Sequence, residues 1–279
     1  MPLIPQIVLH DKTTIPAIGF GTYKLNGAEG VDAIARAISN GYRLLDSAFN
    51  YENEGALGQA VLRAEVARED LRITSKLPGR HHSFAQALAT VEESLYRAQL
   101  DYYDLYLIHW PNPKRGLYIE AWQALIEAQK RGLVLSIGVC NFLPEHLDAL
   151  QTQTGVMPSV NQIELHPYFP QEEQLAYDRQ YGIATESWSP LGRQGTLLHE
   201  PIVLELAAAL GRSAAQVILR WHHQLGAIPI PKANSNALQL ENLDIFDFEL
   251  DHRAMQQIRG LAKPKGRLNH QDPAIYEEF

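Results

Sequence analysis

The sequence predicts an α/β fold, a (β/α)8 TIM barrel whose floor is closed by an N-terminal β-hairpin. The 279-residue chain contains eight short apolar runs, and a helical stretch follows each of them. Near-continuous apolar runs are typical of parallel strands that are buried on both faces. Eight strand–helix units in about 250 residues match the size of a barrel. We therefore expect residues 1–279 to form a single domain.

The N-terminal segment and the first strand precede the repeating units. The residues "IVLHDKTTIP" indicate a hairpin that turns at Asp11 and Lys12, and "AIGFGTY" is the first predicted barrel strand. The segment "GFGTYK", residues 19–24, also suggests a doubly wound dinucleotide-binding domain. It lacks the third glycine of that motif and lies too far before the next helix to hold a phosphate, so we favour the barrel.

A helix, a glycine and a strand follow one another in the same order four times. In "VDAIARAISNGYRLLDSA", apolar residues recur at helical spacing until Gly41 ends the helix and the second strand begins. The same order returns around Gly132, Gly182 and Gly226, before strands five, seven and eight. The segments "LRITSKL", "YDLYLIHW" and "SVNQIEL" supply strands three, four and six.

The amino-acid composition limits the cellular location and the binding partners that we expect for the protein. The net charge of -8 argues against nucleic acid or an anionic membrane, because both attract a basic surface. The one cysteine, Cys140, cannot form an internal disulfide and fits a reducing cytoplasm. The sequence shows no signal-peptide pattern, and no run approaches the ~18 apolar residues of a transmembrane helix. We expect a cytoplasmic protein with no membrane partner, as a monomer or weak oligomer.

Polar side chains stand at the ends of the predicted strands, which is the side of a barrel that carries chemistry. Asp46 ends strand two and Tyr51 follows it, while Lys76 lies near the end of strand three and His109 ends strand four. A buried lysine is costly unless a carboxylate pairs with it, so we expect an Asp46–Lys76 pair. Taken alone, such a pair fits a structural role as well as a catalytic one.

Tyr51 and His109 make proton transfer the favoured interpretation. A tyrosine hydroxyl has an unperturbed pKa of ~10, and a nearby ammonium group favours the phenolate. We therefore expect Lys76 to lower the pKa of Tyr51 while Asp46 holds the ammonium in place. His109 would donate to a carbonyl oxygen and orient it.

Six motifs at strand ends resemble those of the aldo-keto reductases in order and spacing. They are "LLDSAFNYENE", "TSKL", "DLYLIHWP", "SIGVCNF", "NQIELHP" and "ESWSPLG", and "IPIPKANS" with "ENLDIFDFEL" continues the match. The chain is most similar to the bacterial members near the 2,5-diketo-D-gluconate reductases. The resemblance implies a metal-free enzyme that reduces small aldehyde and ketone carbonyls to alcohols with NADPH, the hydride coming from the nicotinamide and the proton from Tyr51.

The resemblance also implies a role for each matching position. Tyr51 would be the general acid, assisted by Asp46 and Lys76, and His109 would polarise the carbonyl. Trp188 would stack on the nicotinamide. The implied cofactor-binding residues are Thr22, Tyr23, Asp46, Cys140, Asn141, Gln162, Trp188, Ser189, Leu191, Lys232, Asn234, Glu241 and Asn242. The implied substrate-pocket residues are Tyr23, Phe49, Asn50, His109 and Trp110.

The chain departs from the family pattern at the phosphate end. Ala233 stands where a serine often binds the 2′-phosphate, and Leu238 where an arginine commonly does, while Cys140 replaces a serine near the nicotinamide. Losing the arginine removes charge-assisted hydrogen bonds worth ~1.5–3 kcal/mol each. We therefore expect a weakened NADPH preference, with NADH as a possible cofactor and Arg193 as a compensating contact. Small aldehydes, α-dicarbonyls and keto sugars all fit the implied pocket.

Two other functions stay open. A cofactor-binding regulatory or interaction protein could use the same fold, but it would not need the proton-transfer residues. A metal-dependent hydrolase would need a cluster of ligands at the strand ends, which the sequence does not offer. The pairs His81–His82 and His222–His223 are adjacent on predicted helices and point in different directions, so we expect them on solvated helix surface.

Overall fold

The N-terminal hairpin is present as predicted. The computed structural model describes residues 4–193 and 195–279. Strands β1 (Gln6–Val8) and β2 (Thr14–Pro16) pair in antiparallel fashion. Lys12 in the connecting turn has a φ of 73°, in the left-handed region that tight turns require.

Eight further strands form one parallel sheet, whose order across the sheet is the order along the chain. They are β3 (Phe20–Gly21), β4 (Leu44–Asp46), β5 (Arg72–Leu77), β6 (Tyr103–Ile108), β7 (Val134–Cys140), β8 (Val160–Glu164), β9 (Ala184–Trp188) and β10 (Ile228–Pro229). A doubly wound sheet reverses its strand order at a switch point, and this sheet does not. The doubly wound alternative is therefore wrong.

Helices connect successive strands. They are α1 (Gly27–Ser39), α2 (Glu54–Arg63), α3 (Phe84–Ala98), α4 (Tyr118–Lys130), α5 (Pro144–Thr154), α6 (Glu172–Gln180), α7 (Pro201–Leu210), α8 (Ala214–Gln224), α9 (Asn236–Leu243) and α10 (His252–Arg259). Both α7 and α8 lie between β9 and β10, and α10 follows the last strand–helix unit. Gly41, which follows α1, has a φ of 110°, a conformation that a residue with a Cβ atom rarely adopts.

The sheet curls, and its two edges approach each other. The N–H groups of Gly19 and Gly21 donate to the carbonyls of Pro229 and Pro231, each at 3.0 Å, which links the β3 edge to the β10 edge. An apolar cluster fills the concave face of the sheet. It includes Leu9 and Ile15 of the hairpin together with Leu44, Leu105, Leu107, Cys140, Val160, Ile228 and Ile230.

The hairpin lies at the amino ends of the strands, away from the predicted site. The Asp11 carboxylate accepts hydrogen bonds from the hydroxyls of Ser136, early in β7, and Ser159, just before β8. A second and larger apolar cluster lies between the sheet and the helices. Within residues 4–193 and 195–279, no single helix has the length and apolar composition of a membrane span. The pair α7 and α8 has them only together, with a bend of 91° at the break.

The expectation that the histidine pairs lie on solvated helix surface is wrong for one member of each pair. His82, which follows the 3-10 helix Gly79–His81, and His222, on α8, are both buried. The ring nitrogens of His222 lie 3.0 Å from the hydroxyl of Ser187 and 3.0 Å from the carbonyl of Pro190. Burial lowers the pKa of His222 to about 3, so its ring is neutral and links α8 to β9 and to the segment that follows β9.

Candidate active site

Asp46 and Lys76 form a buried ion pair at the carboxyl ends of neighbouring strands. The Lys76 ammonium donates to both carboxylate oxygens of Asp46 at 2.7 Å and to the carbonyl of Ser47 at 2.6 Å. These three acceptors satisfy the three N–H bonds of a side chain that is completely buried. Burial alone would lower the pKa of Lys76, but Asp46 and Tyr51 hold that pKa above its ordinary value. The ammonium therefore stays charged.

Tyr51 lies on a short 3-10 helix, Phe49–Tyr51, directly after β4. The Lys76 nitrogen is 5.1 Å from the centre of its ring, and the His109 ring centre is 5.8 Å away. Burial raises the pKa of Tyr51 to about 12, although the charge of Lys76 acts in the opposite direction. The expected net lowering is therefore wrong for this structure, because desolvation outweighs the ammonium. Tyr51 is protonated at neutral pH, which suits a proton donor.

His109 follows β6 and meets the C-terminal tail. Its backbone N–H donates to the carbonyl of Leu77 at 3.0 Å, which continues the parallel ladder beyond β6. Its Nδ1 atom lies 2.7 Å from Oε1 of Glu278, the penultimate residue. The imidazole is therefore placed between the Tyr51 ring on one side and a carboxylate on the other.

Amide side chains from β7 and β8 extend this polar network. The Gln162 amide nitrogen donates to Asp46 and to Glu186, each at 2.8 Å. The Asn141 amide donates to the carbonyl of His109 at 3.1 Å and accepts from the indole N–H of Trp188 at 2.8 Å. These bonds fix both amides and the Trp188 ring before any ligand arrives.

A cavity of about 730 Å³ opens above the strand ends. It is lined by Gly21, Tyr23, Lys24, Asp46, Asn50, Tyr51, His109, Trp110, Cys140, Asn141, Gln162, Trp188, Ser189, Pro190, Leu191, Gly192, Arg193, Ile230, Pro231, Lys232, Asn269, Gln271, Tyr276 and Glu278. The volume falls within the range of sites for small molecules and cofactors.

Cationic side chains stand on one side of this cavity. Burial and the nearby charge of Lys24 lower the pKa of Lys232. The Arg193 guanidinium lies 5.6 Å from the Tyr23 ring centre and 5.9 Å from that of Trp188. A tryptophan ring and three cationic side chains that line one cavity can receive a flat ring together with its attached phosphate groups.

Comparison with known proteins identifies the family. The model of the aldo/keto reductase family matches residues 17–263. The chain belongs to the aldo/keto reductase family. The 2,5-diketo-D-gluconic acid reductase B of a Corynebacterium species (strain SHS752001) is 49% identical over 279 residues, all of both chains. The methylglyoxal reductase DkgA of Yersinia pestis is 41% identical over 278 residues, 99% of each chain.

A solved structure agrees with the family assignment. The crystal structure of a point mutant in complex with NADPH matches this reductase with a TM-score of 0.94 and 38% identity, over 99% of each chain. That complex shows that a barrel of this shape holds NADPH in a relative.

Besides the buried Lys76, five residues that the sequence assigned to the site of this reductase lie outside the cavity lining. Phe49 is buried and packs against the guanidinium of Arg97, which lies 3.9 Å from its ring centre, and its assignment to the substrate pocket stays a prediction. Thr22 is buried and donates to the carbonyl of Asp46. The remaining three, Asn234, Glu241 and Asn242, are on or just before α9. Glu241 accepts from the Ser213 hydroxyl at 2.5 Å.

Glu186 and the C-terminal tail were not predicted from the sequence as parts of the site. Glu186 stands two residues before Trp188 on β9, so strand alternation places both side chains on the same face, a signal that was available. It also pairs in register with Gln162. Burial raises the pKa of Glu186 to about 7, and the charge of Asp46 adds to the rise. The tail residues Tyr276 and Glu278 left no comparable local pattern.

Proposed function

We propose that this reductase converts small aldehyde and ketone carbonyls to alcohols with NADPH, and that Tyr51 gives the proton to the carbonyl oxygen. One observation carries the proposal. Tyr51 and His109 face one cavity above a completely buried Lys76–Asp46 pair. Bound NADPH would supply the hydride. The residues of the chain would orient the carbonyl and move the proton.

The proton step follows from the acidity of Tyr51. With a pKa of about 12, the phenol keeps its proton at neutral pH until charge develops on the carbonyl oxygen. An alkoxide is a stronger base than a phenolate, so transfer from Tyr51 is then favourable. The Lys76 ammonium, 5.1 Å from the ring centre, stabilises the phenolate that remains. Asp46 keeps that ammonium in position.

His109 would fix the direction from which the carbonyl approaches. Its ring packs edge-to-face on that of Tyr51, with 5.8 Å between ring centres, and both side chains line the cavity, so one carbonyl oxygen could meet both. Holding the oxygen against two polar side chains orients the carbonyl for the reaction and so lowers the entropic part of the barrier.

The cavity residues suit the proposed cofactor. Trp188 would lie against the nicotinamide ring, and Asn141 and Gln162 would meet its carboxamide. Ser189 and Leu191 would follow the pyrophosphate, towards Arg193 and Lys232. Tyr23 lines the same cavity and would close over the reacting end. Leu238 supplies no charge at the 2′-phosphate, so we also propose that NADH is used, less well than NADPH.

We further infer that the chain is one closed (β/α)8 barrel domain whose floor is the N-terminal hairpin. The two backbone bonds between the β3 and β10 edges, and the packing of Leu9 and Ile15 inside the sheet, support this inference. A free, buried Cys140 is compatible with the proposed cytoplasmic location. The charge of -8 supports a protein without nucleic-acid or membrane partners, as a monomer or weak oligomer.

The decisive experiment compares wild type with Tyr51→Phe, using NADPH absorbance and a panel of aldehydes, α-dicarbonyls and keto sugars. We expect kcat to fall by about 10²–10⁴-fold, the usual contribution of a general acid, while the Kd of NADPH stays unchanged. Tyr96→Phe is the matched control, because Tyr96 is 81% exposed and far from the cavity lining. Cofactor binding without turnover by wild type would instead favour the binding-protein alternative.

A further inference from the structure

The Gln162 side chain is held by two carboxyl groups. Its amide nitrogen, Nε2, donates to Oδ1 of Asp46 and to Oε2 of Glu186, each at 2.8 Å. A primary amide carries two N–H bonds on its nitrogen, so these two acceptors use both of them. A half-turn of the amide would instead place its carbonyl oxygen against the Asp46 carboxylate, and two acceptors repel each other. The bonds therefore select one of the two amide orientations.

This orientation turns the carbonyl oxygen of Gln162 away from both carboxyl groups. Gln162 lines the cavity, and among the described residues its Oε1 atom has no donor. Asn141 lines the same cavity and lies next to Gln162, because its backbone N–H donates to the Gln162 carbonyl at 3.0 Å. The Asn141 amide uses one N–H on the carbonyl of His109 and keeps the other. The cavity wall thus offers one acceptor and one donor, the complement of a primary carboxamide.

The Glu186 side chain forms a single hydrogen bond among the described residues, the one to Gln162. Its other oxygen, Oε1, is buried and has no partner there. A carboxyl group buried with one bond destabilises a fold relative to an apolar side chain, so its presence calls for a reason other than stability. Burial raises the pKa of Glu186 to about 7, so its charged and neutral forms coexist near neutral pH. With the proton of the neutral form on Oε1, Oε2 accepts from Gln162 in both forms.

We propose that Glu186 is a positioning residue, which fixes the Gln162 amide so that its carbonyl oxygen accepts an N–H of the nicotinamide carboxamide. The inference rests on the proposed function and deepens it, because it names the group of the cofactor that Gln162 distinguishes. Without Glu186, one N–H of Gln162 would be buried without an acceptor. The amide would then turn to bring that N–H to the water of the cavity, and the carboxamide would lose its acceptor.

The test compares the binding of NADP⁺ with that of its 3-acetylpyridine analogue, followed by tryptophan fluorescence. The acetyl group keeps the carbonyl of the carboxamide but has a methyl group in place of the NH2 group. For wild type, the Kd of the analogue should exceed that of NADP⁺ by roughly fivefold to tenfold, the value of one hydrogen bond. In Glu186→Met this ratio should fall to about one, because the acceptor is no longer presented. Glu186→Gln keeps an oxygen that can accept from Gln162, so it should retain the ratio of wild type.

Thr185→Val is the matched control. Thr185 directly precedes Glu186 on β9, so its side chain lies on the opposite face of the strand, where it donates to Asp178 at 2.9 Å. Thr185→Val therefore also removes one buried hydrogen bond, but away from Gln162. A general loss of order raises both Kd values together and leaves their ratio unchanged, which is the result expected for this variant.

Two results would overturn the proposal. A wild-type ratio in Glu186→Met would mean that Asp46 alone orients Gln162, and a lost preference in Glu186→Gln would mean that the charge of Glu186 matters rather than its acceptor. Glu186→Leu is a second variant of different shape, for use if Glu186→Met does not fold. Wild type that prefers NADP⁺ over the analogue but reduces no carbonyl would overturn the proposed function alone. Turnover by wild type without that preference would overturn this inference alone.

Discussion

The Lys76 ammonium lies 2.7 Å from both carboxylate oxygens of Asp46, with 0% and 6% of the two side chains exposed. The pair serves the proposed chemistry by keeping a positive charge beneath Tyr51. A buried pair is not a source of stability in itself, because removing two charges from water costs about as much as their attraction returns. Its effect on stability is seen when one partner is removed, because the remaining buried charge then lowers the free energy of unfolding.

Asp46→Asn should destabilise the fold by about 3–5 kcal/mol, because it leaves the Lys76 ammonium buried without a counter-charge. The double variant Asp46→Asn with Lys76→Met should recover much of this loss, since no unpaired charge remains. Urea unfolding followed by circular dichroism gives both free energies. A double variant less stable than Asp46→Asn would show that Lys76 contributes more through packing and the Ser47 bond than through its charge.

Glu186 should make stability fall as pH rises. Its pKa is about 7 in the folded chain against an ordinary value of 4.5, so the folded state holds a proton that the unfolded state has released between these two values. The folded state is therefore favoured less as pH rises through this window, and the difference becomes constant above pH 7. Glu186→Gln cannot ionise. Its stability relative to wild type should grow by on the order of 2–3 kcal/mol between pH 4.5 and pH 8.

The measurement is the urea midpoint of both proteins at the two pH values. Burial also raises the pKa of Asp178, to about 6, but Asp178 is present in both proteins and cancels in the difference. Glu173→Gln, at an exposed position on α6, is the matched control and should track wild type. Parallel pH profiles for wild type and Glu186→Gln would refute the raised pKa.

Site residues at the ends of consecutive strands were predictable from the sequence. Site residues on the C-terminal tail, which packs against the barrel from a distant part of the chain, were not. Asp46, Lys76 and His109 follow apolar runs, and parallel strands put such positions at one edge. Glu278 reaches the same place because distant residues hold the tail, among them Asn112, 166 residues earlier, which binds the tail backbone. Nothing in the local sequence around Glu278 encodes that bond.

Burial was the other quantity that the sequence left undetermined. The sign of the Lys76 effect on Tyr51 was predictable from charge, yet the desolvation that outweighs it depends on the whole surroundings. His222 shows the same point, because a histidine pair near the end of an amphipathic helix does not reveal which member faces the sheet. The prediction that the second strand ends at Asp46 is confirmed.

His222→Gln should weaken both the fold and cofactor binding. The ring joins the Ser187 hydroxyl and the Pro190 carbonyl, and Pro190 lines the cavity beside Ser189. Losing two buried contacts and part of the packing costs about 2–4 kcal/mol. We expect that loss in urea unfolding, together with a higher Kd for NADPH. His223→Gln, one residue along and only half-buried, should change neither quantity appreciably.

Leu238→Arg should raise the preference for NADPH over NADH. Leu238 is 49% exposed on α9, and the Arg36 guanidinium bonds the carbonyl of nearby Asn234 at 3.2 Å, so this end already carries one cation. An added guanidinium can form charge-assisted bonds to a 2′-phosphate, and solvent reduces their value to about tenfold in affinity. Fluorescence titration should therefore show a lower Kd for NADPH and an unchanged Kd for NADH.

Leu240→Arg separates a specific phosphate contact from a general gain in positive charge. Leu240 is 42% exposed on the same helix, but two residues along, so its side chain points about 200° away around the axis. If the phosphate lies over Leu238, only Leu238→Arg discriminates between the cofactors. Equal effects of the two variants, or a parallel gain for NADH, would place the 2′-phosphate elsewhere and leave Arg36 and Lys232 as the cations to test next.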